Sequence, residues 1–297
     1  MLRRNVNLSG YTTFKTAGMA DYFMEVETLL ELQGCLHIAR KNDLPLNIIG
    51  KGSNLLLGDK SLPGVTIVNK LSGALYEDEI IRLEAGESLS KHAIRTTKKG
   101  LTGLEWAYGI PGSIGGAVAM NAGAHGGQIS DVLTSVRVMN KEGDIYTYNK
   151  EELEFNYRSS IFKNNSELIV ISADFRLNKE SFKNEAYDLA NKYWEQRKET
   201  QPISLPTCGS VFKNPPGMSA AKLIQDCYLK GFNFYGAEVS TKHSNFIINK
   251  GDASPMAIHA LINFIKDTVK TKHGIELELE VVTKGEFKDD YKHGAIL

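Results

Sequence analysis

Hydrophobic and polar positions change their period twice within the first fifty residues. The pattern of residues 21–26 predicts a strand, and Thr28-Leu-Leu-Glu31 is a capping box that opens a helix. The apolar side of this helix consists of four residues at helical spacing: Leu32, Cys35, Leu36 and Ala39. Residues 46–49 then predict a short buried strand. We therefore expect a β-α-β unit that leads into the glycine loop of residues 50–54.

This glycine loop matches neither of two familiar nucleotide-binding sequences. Leu55 stands where the last glycine of Gly-x-Gly-x-x-Gly should be, and residues 55–57 are apolar strand material. No Gly-x-x-x-x-Gly-Lys-Ser/Thr segment occurs in the chain. The sequence therefore excludes a Rossmann fingerprint and a P-loop.

The middle of the chain is predicted to be rich in strands. Runs of β-branched and apolar residues predict them at 65–69, 80–84, 166–177 and in a hairpin of 136–139 with 145–148. A polar helix is expected over residues 179–198. A linker over residues 199–207 should follow, because its two prolines block a continuing helix.

A second domain is predicted after this linker. It starts with a helix near residues 219–230 and a strand at residues 246–249. A long helix is capped by Ser254, has Pro255 in its first turn and is stopped by Gly274. The last predicted strand alternates strictly, with one apolar face formed by Ile275, Leu277, Leu279 and Val281.

Composition narrows the class of protein. The 297 residues suffice for about two domains, and 35 basic against 35 acidic residues give a formal net charge of +0. We therefore expect no nucleic-acid partner. Cys35, Cys208 and Cys227 show no Cys-x-x-Cys spacing, which favours a reducing compartment, and we expect a cytoplasmic protein. Neither a signal peptide nor a long apolar run is recognised, so no membrane insertion is expected.

Residues 100–127 have a glycine density that neither a helix nor a strand tolerates. Glycine permits positive φ and a close approach of backbone N–H groups to a ligand, so we expect a phosphate-binding loop system. The glycines placed for this purpose are Gly109, Gly112, Gly115, Gly116, Gly123 and Gly126. The alternative is a set of tight turns without a ligand.

Two further runs are candidates for chemistry. Arg158 begins an irregular stretch between predicted strands, and Ser210 lies in Gly-Ser-Val-Phe-Lys-Asn-Pro. Arginine offers a bidentate fork for a carboxylate, and a serine after glycine can donate a proton without crowding. Taken alone, an arginine or a serine in a loop is more often structural or solvated than functional. The histidines lack ligand spacing, so we expect no protein-bound metal.

Eight motifs in a fixed order carry a family resemblance. They are Gly50-x-Gly-Ser-Asn-Leu-Leu, Gly109-Ile-Pro-Gly-Ser-Ile-Gly-Gly-Ala, Met120-Asn-Ala-Gly-Ala, Tyr157-Arg-x-Ser-x-Phe, Gly209-Ser-Val-Phe-Lys-Asn-Pro, Leu229-Lys-Gly, Val239-Ser-x-Lys-His and Leu277-Glu-x-Glu-Val. Together, over residues 10–285, they resemble the UDP-N-acetylenolpyruvoylglucosamine reductases, flavoenzymes of peptidoglycan precursor synthesis. The compact length is similar to the shorter, second structural type of this family.

The resemblance implies an α+β fold that binds FAD noncovalently, of the vanillyl-alcohol-oxidase kind. Two FAD-binding lobes would span residues 1–65 and 66–195, and an α+β substrate-binding domain residues 196–297. The diphosphate would lie between residues 50–54 and 111–116. The implied cofactor-binding residues are Ile49, Gly50, Lys51, Gly52, Ser53, Asn54, Pro111, Gly112, Ser113, Gly115, Gly116, Ala117, Asn121, Gly123 and Gly126.

The resemblance also implies a reaction. The enolpyruvyl double bond of UDP-N-acetylglucosamine enolpyruvate would be reduced to the lactyl ether of UDP-N-acetylmuramate, with NADPH as the reductant. Ser210 would donate the proton, Arg158 would bind the substrate carboxylate, and Glu280 would assist either step. Asn214 and Lys213 would contact the UDP group. We expect small-molecule substrates as partners, and a monomer.

The sequence departs from the family pattern at three places. Thr200 stands where the family usually has a lysine near the diphosphate, so Arg197 or Lys198 would have to replace it. Val282-Thr-Lys-Gly replaces Arg-x-Ile-Gly, and His125 replaces a usual aromatic such as tyrosine. A covalent histidyl-flavin is the alternative to noncovalent binding. An FAD-dependent alcohol or sugar oxidase and a flavin- or UDP-sugar-binding sensor are the alternative functions.

Overall fold

The computed structural model describes residues 2–16, 18–165, 167–182 and 184–288. The parts of the segments predicted from the sequence that lie outside it are Met1, Ala17, Ser166, Lys183 and residues 289–297. The strands are β1 (Arg3–Asn7), β2 (Met19–Val26), β3 (Leu46–Ile49), β4 (Leu55–Leu57), β5 (Ser61–Asn69), β6 (Ala74–Glu77), β7 (Ile80–Glu84), β8 (Leu101–Thr102), β9 (Gly123–Ala124), β10 (Gly127–Gln128), β11 (Leu133–Met139), β12 (Ile145–Asn149), β13 (Ile169–Arg176), β14 (Asn178–Lys179), β15 (Asn233–Phe234), β16 (Ala237–Val239), β17 (Ile247–Asn249) and β18 (Val282–Lys284). The helices are α1 (Leu29–Lys41), α2 (Leu89–Thr97), α3 (Ile114–Ala119), α4 (Ile129–Val132), α5 (Ile161–Asn164), α6 (Glu185–Thr200), α7 (Ala220–Asp226) and α8 (Pro255–His273). None of these helices is both long and apolar enough to cross a membrane.

The chain forms two compact units. Unit 1 consists mainly of Phe23–Lys51 and Gly64–Arg197. Unit 2 consists of Arg3–Tyr22, Gly52–Pro63 and the described residues from Lys198 onward. Each unit is therefore built from segments that are far apart in the sequence.

The largest sheet belongs to unit 1 and is antiparallel throughout. Its strand order is β12-β11-β13-β7-β6. The predicted hairpin is confirmed, because β11 pairs with β12 and Met139 lies opposite Ile145. Leu83 and Phe175 of this sheet share one hydrophobic core with Ile114 of α3. The glycine-rich segment is thus anchored on a packed sheet.

The β-α-β unit predicted for residues 21–49 is confirmed in unit 1. Thr28 caps α1: its hydroxyl accepts a hydrogen bond from the Glu31 N–H at 3.2 Å, and the Glu31 carboxylate accepts one from the Thr28 N–H at 3.2 Å. The helix buries the four residues that its spacing predicts, Leu32, Cys35, Leu36 and Ala39. β3 pairs in parallel with β5 and ends directly before Gly50.

The helix predicted over residues 179–198 begins later, as α6, so its predicted start is wrong. The first predicted residues instead form β14, which pairs with β8. The Glu180 carboxylate then accepts a hydrogen bond from the Ala186 N–H at 3.3 Å at the start of the helix. The helix continues to Thr200, into the predicted linker, because Pro202 is the first residue that restricts it.

The core of unit 2 is built around α8. The Ser254 hydroxyl accepts a hydrogen bond from the Ala257 N–H at 3.1 Å, and Pro255 is the first helical residue. Gly274 ends the helix with a φ of 69°. The buried face is the one predicted: Ile258, Leu261, Ile262, Ile265 and Val269. It packs in one core with α7 and the β15-β16-β17 sheet.

The helix predicted near residues 219–230 is α7, which is shorter than predicted. The predicted start is confirmed: Ser219 is the N-cap, and its hydroxyl accepts a hydrogen bond from the Lys222 N–H at 3.3 Å. The helix ends at Asp226, since Tyr228 has a left-handed backbone with a φ of 60°. A left-handed residue cannot continue a right-handed helix.

The segment 275–281 is not the regular strand that its alternation predicts. Among the described residues it makes one β-bridge, which joins Phe212 and Leu279. The alternation itself is kept, because Leu277 and Val281 are buried. The regular strand begins at the next residue, where β18 pairs in parallel with β4. Pairing with β4, rather than the apolar alternation, thus determines where the strand begins.

We expect Thr28→Ala to lower the free energy of unfolding of unit 1 by about 1 kcal/mol, because it removes the hydroxyl that caps α1. Thr28→Ser keeps the acceptor and is the control. Urea denaturation followed by circular dichroism measures the difference. An alanine variant as stable as the serine variant would contradict the capping role.

Candidate functional site

Gly50 is the point where the end of β3 meets the start of α3 in unit 1. Ile49, the last residue of β3, is fully buried, and Lys51 beyond the glycine is exposed. A Cβ atom on residue 50 would lie 2.2 Å from Ser113 Oγ. That hydroxyl caps α3 and accepts a hydrogen bond from the Gly116 N–H at 3.4 Å. Residues of both loops predicted to flank a diphosphate therefore meet within unit 1.

The loop before α3 is held by backbone hydrogen bonds to residues 85–89. The N–H groups of Ile114 and Gly115 donate to the carbonyls of Glu87 and Ala85, each at 2.9 Å. These two N–H groups are used inside the protein, so the helix start offers fewer donors to an anion than its glycines suggest. The other predicted cofactor residues of this unit lie in the same loop, in α3 and after it: Pro111, Gly112, Ala117, Asn121, Gly123 and Gly126.

Gly52, Ser53 and Asn54 continue the first loop in unit 2 and present their backbone N–H groups. Among the described residues, these three N–H groups donate to no protein acceptor. Gly52 has a φ of 60°, and a Cβ atom there would lie 1.9 Å from the Tyr11 carbonyl oxygen. The Asn54 amide donates to the Glu280 carbonyl at 3.0 Å. Consecutive backbone N–H groups in a turn can form a nest for an anion, so these three groups are candidates for binding a phosphate.

Part of the glycine-rich segment serves protein packing rather than a ligand. A Cβ atom on Gly109 would lie 2.5 Å from the Trp194 ring, which also packs against Tyr108 with ring centroids 5.4 Å apart. Gly126, in contrast, has a φ of 87° and nothing within 4 Å of its Cβ position. Gly109 also has a φ of 84°, so the alternative of a tight turn without a ligand accounts for it, whereas Gly126 faces open space.

Arg158 lies in a tight turn of unit 1. Asn156 and Ser159 exchange two backbone hydrogen bonds of 3.0 and 3.1 Å, so Tyr157 and Arg158 form the turn between them. Arg158 has a φ of 53°, which is unusual for a residue with a Cβ atom. Its Nη2 donates to the Gly123 carbonyl at 2.7 Å. The predicted catalytic arginine and a predicted cofactor residue therefore lie together.

Ser210 and Glu280 lie on neighbouring segments of unit 2. The Glu280 N–H donates to the carbonyl of Val211 at 2.9 Å, and Ser210 forms a β-bridge with Phe246. Among the described residues, the Ser210 hydroxyl has no protein hydrogen-bond partner. A hydroxyl of this kind can both donate to and accept from a ligand.

Asn245 is a residue of this region that sequence reasoning missed. Its buried carboxamide accepts from the Phe212 N–H at 3.0 Å and donates to the Phe212 carbonyl at 2.8 Å. Its own carbonyl accepts from the Val211 N–H at 2.9 Å. These bonds fix the backbone next to Ser210. The nearest signal in the sequence is the Val239-Ser-x-Lys-His motif, which ends two residues before Asn245 and does not indicate this role.

The two residues predicted to contact UDP follow Ser210 on the same segment. Lys213 is mostly buried, forms an ion pair with Glu278, and donates its backbone N–H to the Glu278 carbonyl at 2.8 Å. Asn214 is exposed, and its side-chain oxygen accepts from the Ala220 N–H at 3.0 Å at the start of α7. Both residues thus belong to the unit that carries Ser210.

Cys208 is a buried thiol two residues before Ser210. Burial raises the pKa of this thiol, and the negative charge of Glu280 raises it further, so the thiol is protonated at neutral pH. All three cysteines are free thiols. Among the described residues, no group of three or more His, Cys, Asp and Glu side chains is arranged to hold a metal ion.

His125 stacks on Tyr193 of α6, with ring centroids 4.1 Å apart and planes 11° from parallel. Desolvation and then the positive charge of Arg197 lower the pKa of His125, so its ring is neutral at neutral pH. Arg197 is buried in α6, and Lys198 follows it in the same helix. These are the two candidates for the role of the lysine that is replaced by Thr200.

Two family models match the chain. The model described as "FAD binding domain" matches residues 20–149, and the model described as "UDP-N-acetylenolpyruvoylglucosamine reductase, C-terminal domain" matches residues 201–283. The UDP-N-acetylenolpyruvoylglucosamine reductase of Clostridium novyi (strain NT) is 44% identical over 289 residues, covering 96% of this chain and 92% of that relative. The same reductase of Clostridium tetani (strain Massachusetts / E88) is 45% identical over 289 residues, covering 97% and 93%.

A solved structure leads to the same family. The crystal structure of UDP-N-acetylenolpyruvylglucosamine reductase (MurB) from Thermus caldophilus superposes with a TM-score of 0.83 at 32% identity. The superposition covers 96% of this chain and 100% of the Thermus caldophilus chain. The predicted α+β FAD-binding fold is thereby confirmed. This chain belongs to the UDP-N-acetylenolpyruvoylglucosamine reductase family.

Proposed function

We propose that this chain reduces UDP-N-acetylglucosamine enolpyruvate to UDP-N-acetylmuramate, a peptidoglycan precursor, with NADPH as the reductant. The observation that carries the proposal is the arrangement of Ser210 and Glu280 in unit 2. Among the described residues, the Ser210 hydroxyl has no protein hydrogen-bond partner, and the backbone of Glu280 is hydrogen-bonded to Val211, the residue after Ser210. This reaction ends with the protonation of a carbon atom and therefore needs a proton donor. A flavin oxidase or a binding sensor has no use for one.

The cofactor FAD is proposed to bind noncovalently at the glycine loops. In unit 2 the N–H groups of Gly52, Ser53 and Asn54 would donate to its diphosphate. In unit 1 a side chain at residue 50 would clash with Ser113 Oγ, so glycine at this position allows the two loops to approach each other. When bound, FAD would accept hydride from NADPH and supply it to the terminal vinyl carbon of the substrate.

Arg158 is proposed to bind the substrate carboxylate. Hydride addition at the terminal carbon leaves negative charge that is shared with this carboxylate. A guanidinium group stabilises such charge through two parallel charge-assisted hydrogen bonds. The bond of Nη2 to the Gly123 carbonyl supports the role, because it limits the directions that the guanidinium group takes.

Ser210 is proposed to protonate the carbon next to the carboxylate. The preceding Gly209 has nothing within 4 Å of its Cβ position, which leaves room for a substrate beside the hydroxyl. Glu280 would assist by stabilising the enolate-like species or by supplying the proton, and its backbone bond to Val211 supports either role.

Substrate contacts outside the reacting atoms are proposed for Asn214, Lys213 and one of two neighbouring residues of α6. Asn214 and Lys213 would contact the UDP group, and their position on the Ser210 segment supports this role. Arg197 or Lys198 would take over the diphosphate contact of the lysine that is replaced by Thr200.

A three-part organisation is proposed for the chain. Residues 1–65 and 66–195 would be the FAD-binding lobes, and residues 196–297 the substrate-binding domain. The FAD-binding family model on residues 20–149 and the C-terminal model on residues 201–283 support a boundary between FAD-binding and substrate-binding parts after residue 149 and before residue 201. We propose a monomer in the cytoplasm, and the free thiols of all three cysteines support a reducing compartment.

The purified protein is expected to be yellow and to release intact FAD on treatment with acid, because the flavin is held by hydrogen bonds alone. The absorbance spectra of the supernatant and of the precipitated chain measure the release. Flavin that stays with the precipitate would contradict noncovalent binding. If the precipitated His125→Ala variant then no longer retained flavin, His125 would be identified as the point of covalent attachment.

Arg158→Lys is expected to slow flavin reoxidation by the enolpyruvyl nucleotide about tenfold or more, because lysine keeps the charge and loses the fork. Anaerobic stopped-flow absorbance measures the rate after reduction by NADPH. Arg176→Lys, at an exposed position of β13, is the control and should react like the wild type. Wild-type reoxidation in Arg158→Lys would show that the fork geometry is irrelevant.

Ser210→Ala is expected to be reduced normally by NADPH and to reoxidise with the enolpyruvyl nucleotide about a hundred- to ten-thousandfold more slowly, as expected for loss of a positioned general acid. Ser210→Cys keeps a donor and should retain more activity than the alanine variant. The exposed Ser204→Ala is the matched control. Normal reoxidation in Ser210→Ala would move the proton-donor role to Glu280 or to an ordered water.

A further inference from the structure

Asn121 is a buried residue of unit 1 whose carboxamide is engaged with the protein on both sides. Its exposed fraction is 1%, and its φ of 41° is left-handed. Its Oδ1 accepts from the Ser130 N–H at 3.0 Å. Its Nδ2 donates to Gln128 Oε1 at 3.2 Å and to the Asn156 carbonyl at 3.1 Å. Both amide hydrogens therefore have protein partners.

Gln128 fixes the orientation of this carboxamide. Its Nε2 donates to one oxygen of the Asp131 carboxylate at 3.2 Å, and its backbone N–H donates to the other at 2.9 Å. With its nitrogen directed to Asp131, Gln128 presents its oxygen to Asn121. The amide nitrogen of Asn121 is consequently held where it also reaches Asn156.

The Asn156 carbonyl is the acceptor that closes the turn of Arg158. It accepts from the Ser159 N–H at 3.1 Å, so Asn121 bonds to the same oxygen as the turn hydrogen bond. The Arg158 side chain also contacts the chain just after Asn121, because its Nη2 donates a hydrogen bond to the Gly123 carbonyl. The turn is thus tied to the chain at residues 121 and 123.

We propose that Asn121 is a positioning residue for Arg158. A left-handed φ at a residue with a side chain costs free energy, so the turn needs bonds from outside to hold Arg158 in this conformation. Asn121 supplies such a bond and thereby aims the guanidinium group at the substrate carboxylate. The inference rests on the proposed function, in which Arg158 binds that carboxylate.

Two substitutions separate the hydrogen bonds of Asn121 from its backbone conformation. Asn121→Gly tolerates the left-handed φ and removes all three side-chain bonds. Asn121→Asp is nearly isosteric and keeps an acceptor for the Ser130 N–H, but it loses the donor to Asn156. Asn5→Gly is the matched control, because Asn5 is exposed and also left-handed, with a φ of 51°. Thermal unfolding identifies any variant that is misfolded, in which case the other variant serves for the test.

Three measurements on the whole protein test the role. If Asn121 acts on the turn, and its side chain is not the FAD ligand that the family resemblance implies, both Asn121 variants should keep an FAD dissociation constant and a rate of flavin reduction by NADPH within about twofold of the wild type. We expect the concentration of enolpyruvyl nucleotide that half-saturates reoxidation to rise about tenfold or more, the effect of a misaimed binding group. In the protein without ligands, the Ser159 N–H should exchange its hydrogen faster. Asn5→Gly should change none of these quantities.

A double variant separates positioning from general structural damage. If Asn121 acts through Arg158, Asn121→Gly should slow reoxidation no further in an Arg158→Ala background. Unchanged reoxidation in both Asn121 variants would overturn the inference, as would additive effects in the double variant. A parallel loss of FAD affinity would also overturn it and make Asn121 a cofactor ligand. A wild type that the nucleotide does not reoxidise would refute the proposed function, and the inference with it.

Discussion

Hydrogen bonds of Asn54 hold together parts of unit 2 that are more than two hundred residues apart in the sequence. Its side-chain amide donates to the Glu280 carbonyl, and its own carbonyl accepts from the Val282 N–H at 3.0 Å. Directly beyond these bonds, β4 and β18 run side by side. Asn54, which is proposed to contact the FAD diphosphate, therefore also fixes the backbone of Glu280, the proposed acid-base carboxylate. If both proposals hold, cofactor binding and proton supply depend on the same contacts between distant parts of the sequence.

Sequence patterns correctly predicted those helix ends that are determined by residues close by in the sequence. The capping box at Thr28 and the Ser254-Pro255 start of α8 lie where the sequence puts them, because each cap bonds to its own first turn. The start of α6 and the strand over residues 275–281 were wrong, since a distant partner determines each of them. A pattern within one segment carries no information about what faces it.

For the candidate functional site, too, residue types could be read from the sequence, whereas contacts with distant segments could not. The motifs identified Arg158 and Ser210 as candidates because their chemistry is visible in the residue types. The role of Asn245 could not be predicted, since its carboxamide acts on a backbone 33 residues away. Glycine density was ambiguous for a similar reason. Glycine at residue 109 fits a left-handed turn, a ligand contact or a close protein neighbour, and only the fold shows the φ of 84° and the contact with Trp194.

The protonated state of Cys208 determines how this segment tolerates oxidants and alkylating reagents. Such reagents attack the thiolate, and both burial and the adjacent Glu280 carboxylate disfavour that form. The same negative charge that is proposed to assist catalysis thereby shields the neighbouring sulfur from covalent damage. A thiol-directed inhibitor would gain little from the short distance along the chain between Cys208 and Ser210. The more exposed Cys227 is the thiol that such a compound would reach first.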